Sequence, residues 1–392
     1  MSSSTDRRSA DAIGGALVQL TRRRDRRTED PRVLLEQVDA ARLVEMANYH
    51  RVPGVVHRSL VELSSSDSRF AGLRTASQIA TLAHGRCLVE LRTMSEVLSR
   101  LERPWLVVKG PVLAEYGYGD PGARLYEDLD LVVHGSDLSA AVSSIEGAGG
   151  QRTSLNWPLD TRLRRAEIPM LLPAGMLADL HWELLVTPNA RARFDFSVAA
   201  VTERRRTVSV GGIDVATLDA VDGLLYLCAH GALSGGHQLV WLKDLEVMVD
   251  RESPDWDVLV RRARHSRLDL VAAVLFERAR MVLGAAVPSA VIEELGRRAA
   301  WWRWWYRRER TVGAARWGAY DGTGRTVVAA TSGSSLASAI QLGRSMVEDS
   351  ALPALRDRFG ASSSGETPEL YRDIGGTQAW ESYLRMAGAG TA

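Results

Sequence analysis

Cysteine is nearly missing from this chain. Among 392 residues only Cys87 and Cys228 occur, far apart and with no Cys-x-x-Cys pair. That excludes a disulfide framework and a zinc knuckle, and a reducing cytoplasm is the expected setting. No apolar run approaches the ~18 residues that would span a bilayer, so a soluble protein without a membrane partner is expected. The formal net charge is only +1, which supplies no general field for a polyanion, and nucleic acid is not expected as a partner. No P-loop pattern supports a conventional kinase, and no internal repeat is found. Lysine is rare as well. It occurs only at Lys109 and Lys243, arginine making up the rest of the 49 basic residues. Against such a bias, a position held by lysine reads as one that needs a compact, flexible ammonium rather than a planar guanidinium.

What is present is a chain long enough, at ~150 residues per domain, for two or three domains or subdomains. The opening "MSSSTDRRSADAIGGALVQLTRRRDRR" is rich in Ser and Arg, as transit peptides are, but Asp6, Asp11 and Asp25 interrupt it and no secretory apolar core follows. Residues 1–30 are therefore expected to be a frayed or partly helical cytosolic N-terminus. Residues 31–103 read as a helical region: "PRVLLEQVDAARLVEMANYH" and "ASQIATLAHGRCLVELRTMSEVLSRL" repeat apolar side chains at three- and four-residue spacing.

The pattern changes at 104. "PWLVVKG" is a short β-branched run stopped by glycine and predicts a buried strand; "PVLAEY" starts a short helix with Pro111 in its first turn; "GYGDPG" is a loop. A second strand is expected at Leu129 to Val133, then a helix capped by Ser136 and Asp137. "MLADLHWELLV" is a third strand, and "RRRTVSVGGIDVATLD" a hairpin around Gly211 and Gly212. Residues 104–216 thus read as an α/β core. Residues 217–317 turn helical again, and 318–392 form a Gly-, Ser- and Thr-rich extension with no structural expectation.

The chemistry gathers in "RLYEDLDLVV". On a strand, residues i and i+2 share a face, so Asp128 and Asp130 project together while Leu129, Leu131 and Val133 pack the other side. Two adjacent carboxylates repel. Either they are solvated acids at an edge or turn, or a cation such as Mg²⁺, which binds through one or two carboxylates plus substrate phosphates, makes the pair favourable. Three neighbours favour the second reading. In "VVKGP", Lys109 offers a point charge and Gly110 a close backbone approach to phosphate. Arg124 can pair with the carboxylates or hold a phosphate oxygen. In "ADLHWEL", Asp179 interrupts an apolar strand and shares a face with His181 and Glu183, supplying the third carboxylate that a two-metal site needs.

These stretches, together with "LLYLCAHGALSGGHQLVWLKDL" and "DWDVLVRRARHSRLDLVAAVLFERARMVLG", resemble the largely uncharacterised bacterial nucleotidyltransferases of the DNA polymerase β superfamily, over roughly residues 32 to 300. The resemblance implies an α+β fold: a polymerase-β-like core, a small mixed sheet with helices, flanked by N-terminal and C-terminal helical regions. It implies Mg²⁺-dependent transfer of a nucleoside monophosphate, AMP from ATP being the expected case, to a small-molecule or peptide acceptor with release of pyrophosphate. A noncatalytic nucleotide-binding or regulatory protein on the same fold is the alternative. Carried over by motif, Asp128, Asp130 and Asp179 would hold two Mg²⁺ ions, with Mn²⁺ as a substitute, and Lys109 and Gly110 stand where the wider superfamily has Gly-Ser. The nucleotide and the acceptor are not fixed by sequence, nor is the oligomeric state.

Further candidates rank lower. His181 either helps the acceptor or is a structural hydrogen-bonder beside a Trp. Lys243 and Asp244 in "WLKDL" are expected to face the nucleotide, but adjacent residues do not share a helix face, so at most one lines the cleft. His230 and His237 match no local zinc spacing. The Arg clusters at 22–27, 204–206 and 303–310 read as solvated faces. "WWRWWYRRER" reads as an amphipathic helix with rings on the core and Arg outward.

Overall fold

The computed structural model describes residues 4–64, 67–299, 302–303, 329–331 and 375–389. The N-terminal stretch, expected to be frayed or partly helical, contains a helix, α1 (Ser4–Thr21). Ile13, Ala16, Leu17 and Leu20 recur on one face and are almost wholly buried, a 3.6-residue stripe that the flanking Ser and Arg residues obscure. After it come α2 (Pro31–Gln37), α3 (Ala40–Tyr49), α4 (Pro53–Glu62) and the long α5 (Ala71–Val97). Asp30 and Asp39 start α2 and α3 by accepting from the backbone amides of Arg32 and Arg42, satisfying donors that a helix start leaves open.

The core begins with β1 (Leu106–Val108), which ends as Lys109 and Gly110 turn to positive φ, +52° and +23°. The short helix expected after Pro111 is a wide π-helical turn, Val112–Gly117, a form that recurs at functional sites. Then follow β2 (Asp128–Val132), α6 (Leu138–Gly147), β3 (Gln151–Arg152), α7 (Trp157–Leu163), β4 (Glu167–Leu171), β5 (Leu177–His181), α8 (Pro188–Arg193) and α9 (Val198–Glu203). Asp137 does not cap α6 with its side chain; it binds Arg103 instead, accepting from its backbone amide and its guanidinium. The sheet order is β1-β2-β5-β4-β3, with β2 and β5 parallel and every other pair antiparallel. The expected hairpin forms as β6 (Arg206–Val210) and β7 (Ile213–Thr217), turning through Gly211 and Gly212 at φ +58° and +75°, positions that favour glycine.

Five helices complete the second helical stretch: α10 (Ala220–Leu233), α11 (Leu239–Glu252), α12 (Trp256–His265), α13 (Asp269–Leu283) and α14 (Ser289–Leu295). Their apolar faces and those of α1–α4 form one continuous cluster, so the two helical regions meet in space although the core separates them in sequence. A second cluster lies behind the sheet. There Val107, Leu129, Leu131, Ile168, Met170, Ala178 and Leu180 pack on α5, α6, α7 and a last helix, α15 (Gly376–Ala389). The sheet therefore sits between two apolar masses, and on its front face Leu106, Val108 and Val132 join the helices.

Of the Trp/Arg segment 301–310, only Trp302 and Arg303 are among the described residues; Trp302 is buried in the helical cluster and Arg303 lies over its ring. Most of the extension 318–392 lies outside the described residues. Among the described residues no helix is long and apolar enough to cross a membrane, and both cysteines are buried and unbridged.

Candidate metal centre

Register builds the site. The parallel pairing of β2 and β5 sets Asp130 opposite Asp179 and Val132 opposite His181. The antiparallel pairing of β4 with β5 sets Glu167 opposite His181. Alternation then sends Asp128, Asp130, Asp179, His181 and Glu167 to the same face of the sheet. Asp130, Asp179 and His181 bring one ligand atom each to within 4.8 Å of one another. Asp128 lies along β2 from this group, half-buried, and Lys109 enters from the end of β1, where Val108 pairs with Asp130. The positive φ of Lys109 and Gly110 turns the chain sharply at that point, and the ammonium ends 2.8 Å from Asp130 Oδ1.

Asp130 Oδ1 also receives His181 Nε2 at 3.1 Å. Burial alone would raise the Asp130 pKa, but the Lys109 charge and the His181 hydrogen bond hold it well below the usual carboxylate range. Burial works against the Lys109 ammonium too; the Asp130 charge outweighs it and keeps the group cationic, with the Tyr226 ring centroid 5.7 Å away. His181 is buried, which disfavours its charged form, yet the bond to Asp130 and that carboxylate's charge raise its pKa. Its other nitrogen lies 3.7 Å from Glu167 Oε2.

The remaining acids are held uncomfortably. Burial, followed by the Glu167 charge, pushes Asp179 up to about 6. Burial and the charge of Asp130 raise Asp128. Two carboxylates that resist ionisation beside one that is fully ionised are the arrangement a divalent cation relieves. The donor set fits a hard ion: Asp130, Asp179 and the adjacent Asp128 offer oxygens, whereas His181 Nε2 is already engaged with Asp130.

Other nominated residues lie elsewhere. Arg124 is buried and forked on Asp244, with Nε to Oδ1 and Nη2 to Oδ2 both 2.8 Å, and the Tyr118 hydroxyl donates to the same carboxylate at 2.8 Å. It binds neither Asp128 nor Asp130. Lys243 is buried against Glu246 at 2.5 Å, a carboxylate that Arg26 also reaches. Both Lys243 and Asp244 therefore face inward to ion pairs, and neither stands open to a nucleotide; Asp244 ties α11 to Arg124 and Tyr118, while Lys243 pairs within α11. Glu183 lies beyond the end of β5, buried, accepting from the Val198 amide at 3.1 Å and pushed up to about 7 by burial. His230 is buried, and burial with the nearby Lys109 charge lowers it to about 3, so it stays neutral. His237 packs its ring near Trp241 and Tyr49. Glu167 belongs to the site but has no signal in sequence, because Pro169 interrupts β4 two residues on.

A family model described as an uncharacterised nucleotidyltransferase matches residues 36–284, well over half of the chain and the whole of the carboxylate-bearing sheet. No curated protein matches.

Proposed function

The chain belongs to the uncharacterised nucleotidyltransferase family, and from that premise we propose that it moves a nucleoside monophosphate, AMP from ATP as the expected case, onto a small-molecule or peptide acceptor. One observation carries the reading: Asp128, Asp130 and Asp179 share one sheet face, and two of the three have raised pKa values in the absence of a cation. When bound, divalent cations, two Mg²⁺ or Mn²⁺ ions, would neutralise charge on the triphosphate and on the attacking oxygen. Asp130 and Asp179, with Asp128 beside them, would hold them.

The chain's own groups then position and move protons. The acceptor hydroxyl attacks the α-phosphorus in line, the bond from α-phosphorus to the β-phosphate oxygen breaks, and pyrophosphate leaves with that electron pair. Asp179 accepts the hydroxyl proton. His181 fixes the orientation of Asp130 through Nε2. Lys109, whose ammonium lies 2.8 Å from Asp130, would steady the phosphates, and Gly110 would let backbone amides approach them.

Labelled nucleoside triphosphate with Mg²⁺ and candidate acceptors should yield pyrophosphate and a nucleotidylated product, and Asp128→Ala should abolish both. Unchanged turnover and metal dependence in Asp128→Ala would remove the catalytic reading. A second reading, a noncatalytic nucleotide-binding protein, is favoured by one contact: the Lys109 ammonium already neutralises Asp130 at 2.8 Å. It would be distinguished by nucleotide binding that needs no divalent ion and yields no pyrophosphate with any acceptor.

A further inference from the structure

A triphosphate beside a carboxylate cluster needs a cation of the protein's own to hold its outer oxygens. The obvious basic residues are engaged: Lys109 with Asp130, Arg124 with Asp244, Arg165 with Glu167 and Lys243 with Glu246. Arg51 differs from all of them. It lies between α3 and α4 on left-handed backbone, φ +57°. It is exposed, and among the described residues its side chain takes part in no hydrogen bond or ion pair.

The turn that carries Arg51 is fixed on both sides. Leu239 N approaches His50 Nδ1 at 3.3 Å, Val240 N donates to the His50 carbonyl at 3.1 Å, and the Gln238 side chain donates to the Tyr49 carbonyl at 2.8 Å, tying the turn to the start of α11. On the other side Gly54 lies so close to Gly122 and Ala123, the loop leading into β2, that a Cβ there would fall 2.0 Å from the Gly122 carbonyl oxygen. The turn thus bridges the helical mass and the segment that runs into Asp128. The Arg51 guanidinium lies close enough to Asp128 for its charge to act on that carboxylate.

We infer that Arg51 is a phosphate-binding residue of the site, its guanidinium gripping the β- and γ-phosphates of the nucleoside triphosphate. This rests on the nucleotidyl-transfer reading and adds a residue supplied by the N-terminal helices rather than by the sheet. A guanidinium offers a bidentate fork to phosphate, and an exposed one without a partner gives up no internal ion pair to do so.

The test measures binding of each of the four nucleoside triphosphates and of the matching monophosphates, with Mg²⁺, to the wild type, Arg51→Ala and Arg51→Lys. Arg51→Ala should weaken triphosphate binding roughly ten- to hundredfold while leaving monophosphate binding and the melting temperature unchanged. Arg51→Lys should recover part of the loss. Wild-type triphosphate affinity in Arg51→Ala, or an equal loss of mono- and triphosphate binding, would overturn the inference. If no triphosphate bound the wild type, the nucleotidyl-transfer reading itself would fall.

Discussion

Asp130 and Asp179 sit side by side across two strands, yet one is held far into its ionised form and the other is pushed up to about 6. The difference lies in the partners. Lys109 and His181 both reach Asp130, whereas Asp179 faces burial and the Glu167 charge. Because the folded protein keeps a proton on Asp179 that the unfolded chain would release, the metal-free fold should lose stability as pH rises from about 4 to about 6. A divalent cation must compete with that proton. The thermal shift produced by Mn²⁺ should therefore be large at pH 7 to 8 and fade below about pH 6, and Asp179→Asn should remove it; a shift independent of pH would contradict the assignment. The acids and Lys109 were legible in sequence because each breaks a local rule, a charge inside an apolar run or a lysine in an arginine-biased chain. Arg51 breaks none, so nothing in the sequence sets it apart from the other arginines.

At the scale of elements, the Arg124–Asp244 fork joins the loop before β2 to α11, with Tyr118 on the same carboxylate. Removing one partner leaves a buried guanidinium uncompensated. Asp244→Ala should cost about 3–5 kcal/mol in denaturant unfolding, and Asp244→Asn, which keeps the acceptor oxygen, should cost less. Sequence periodicity identified the helical stretches that hold α2, α3, α5 and α10 to α13, and the apolar pattern identified β2 and β5. It failed where proline changes the backbone's options. Pro169 cannot donate to a ladder, so β4 reads unlike a strand, and β4 carries Glu167. It also could not tell which charged residues on α11 face inward, because partners such as Arg124 and Arg26 are chosen by tertiary packing.

For the whole molecule, the sheet is clamped between a helical mass in front and α5, α6, α7 and α15 behind. Tyr383 of α15 is fully buried; its hydroxyl accepts from Trp182 Nε1 at 3.0 Å and donates to the Arg165 carbonyl at 2.8 Å. Arg165 pairs with Glu167, so a helix beyond the matched family region supports the edge of the carboxylate cluster. Tyr383→Ala should lower stability by about 3–5 kcal/mol and speed amide exchange in β4 more than in β2. Equal protection in the two strands would show that α15 merely covers the sheet. Such contacts, between residues about 200 positions apart, leave no trace in local patterning, which is why the extension carried no structural expectation.

The parallel pairing of β2 with β5 has a consequence in time. Antiparallel neighbours can zip from a hairpin, but parallel ones need a crossover and must find each other across the intervening chain. On a nascent chain Lys109 is made before Asp130, and Asp130 before Asp179. When β5 docks, it brings a second carboxylate towards a first whose charge the ammonium already balances. The Lys109 ammonium, 2.8 Å from Asp130 in the folded chain, lowers the electrostatic cost of closing the two acid-bearing strands on each other.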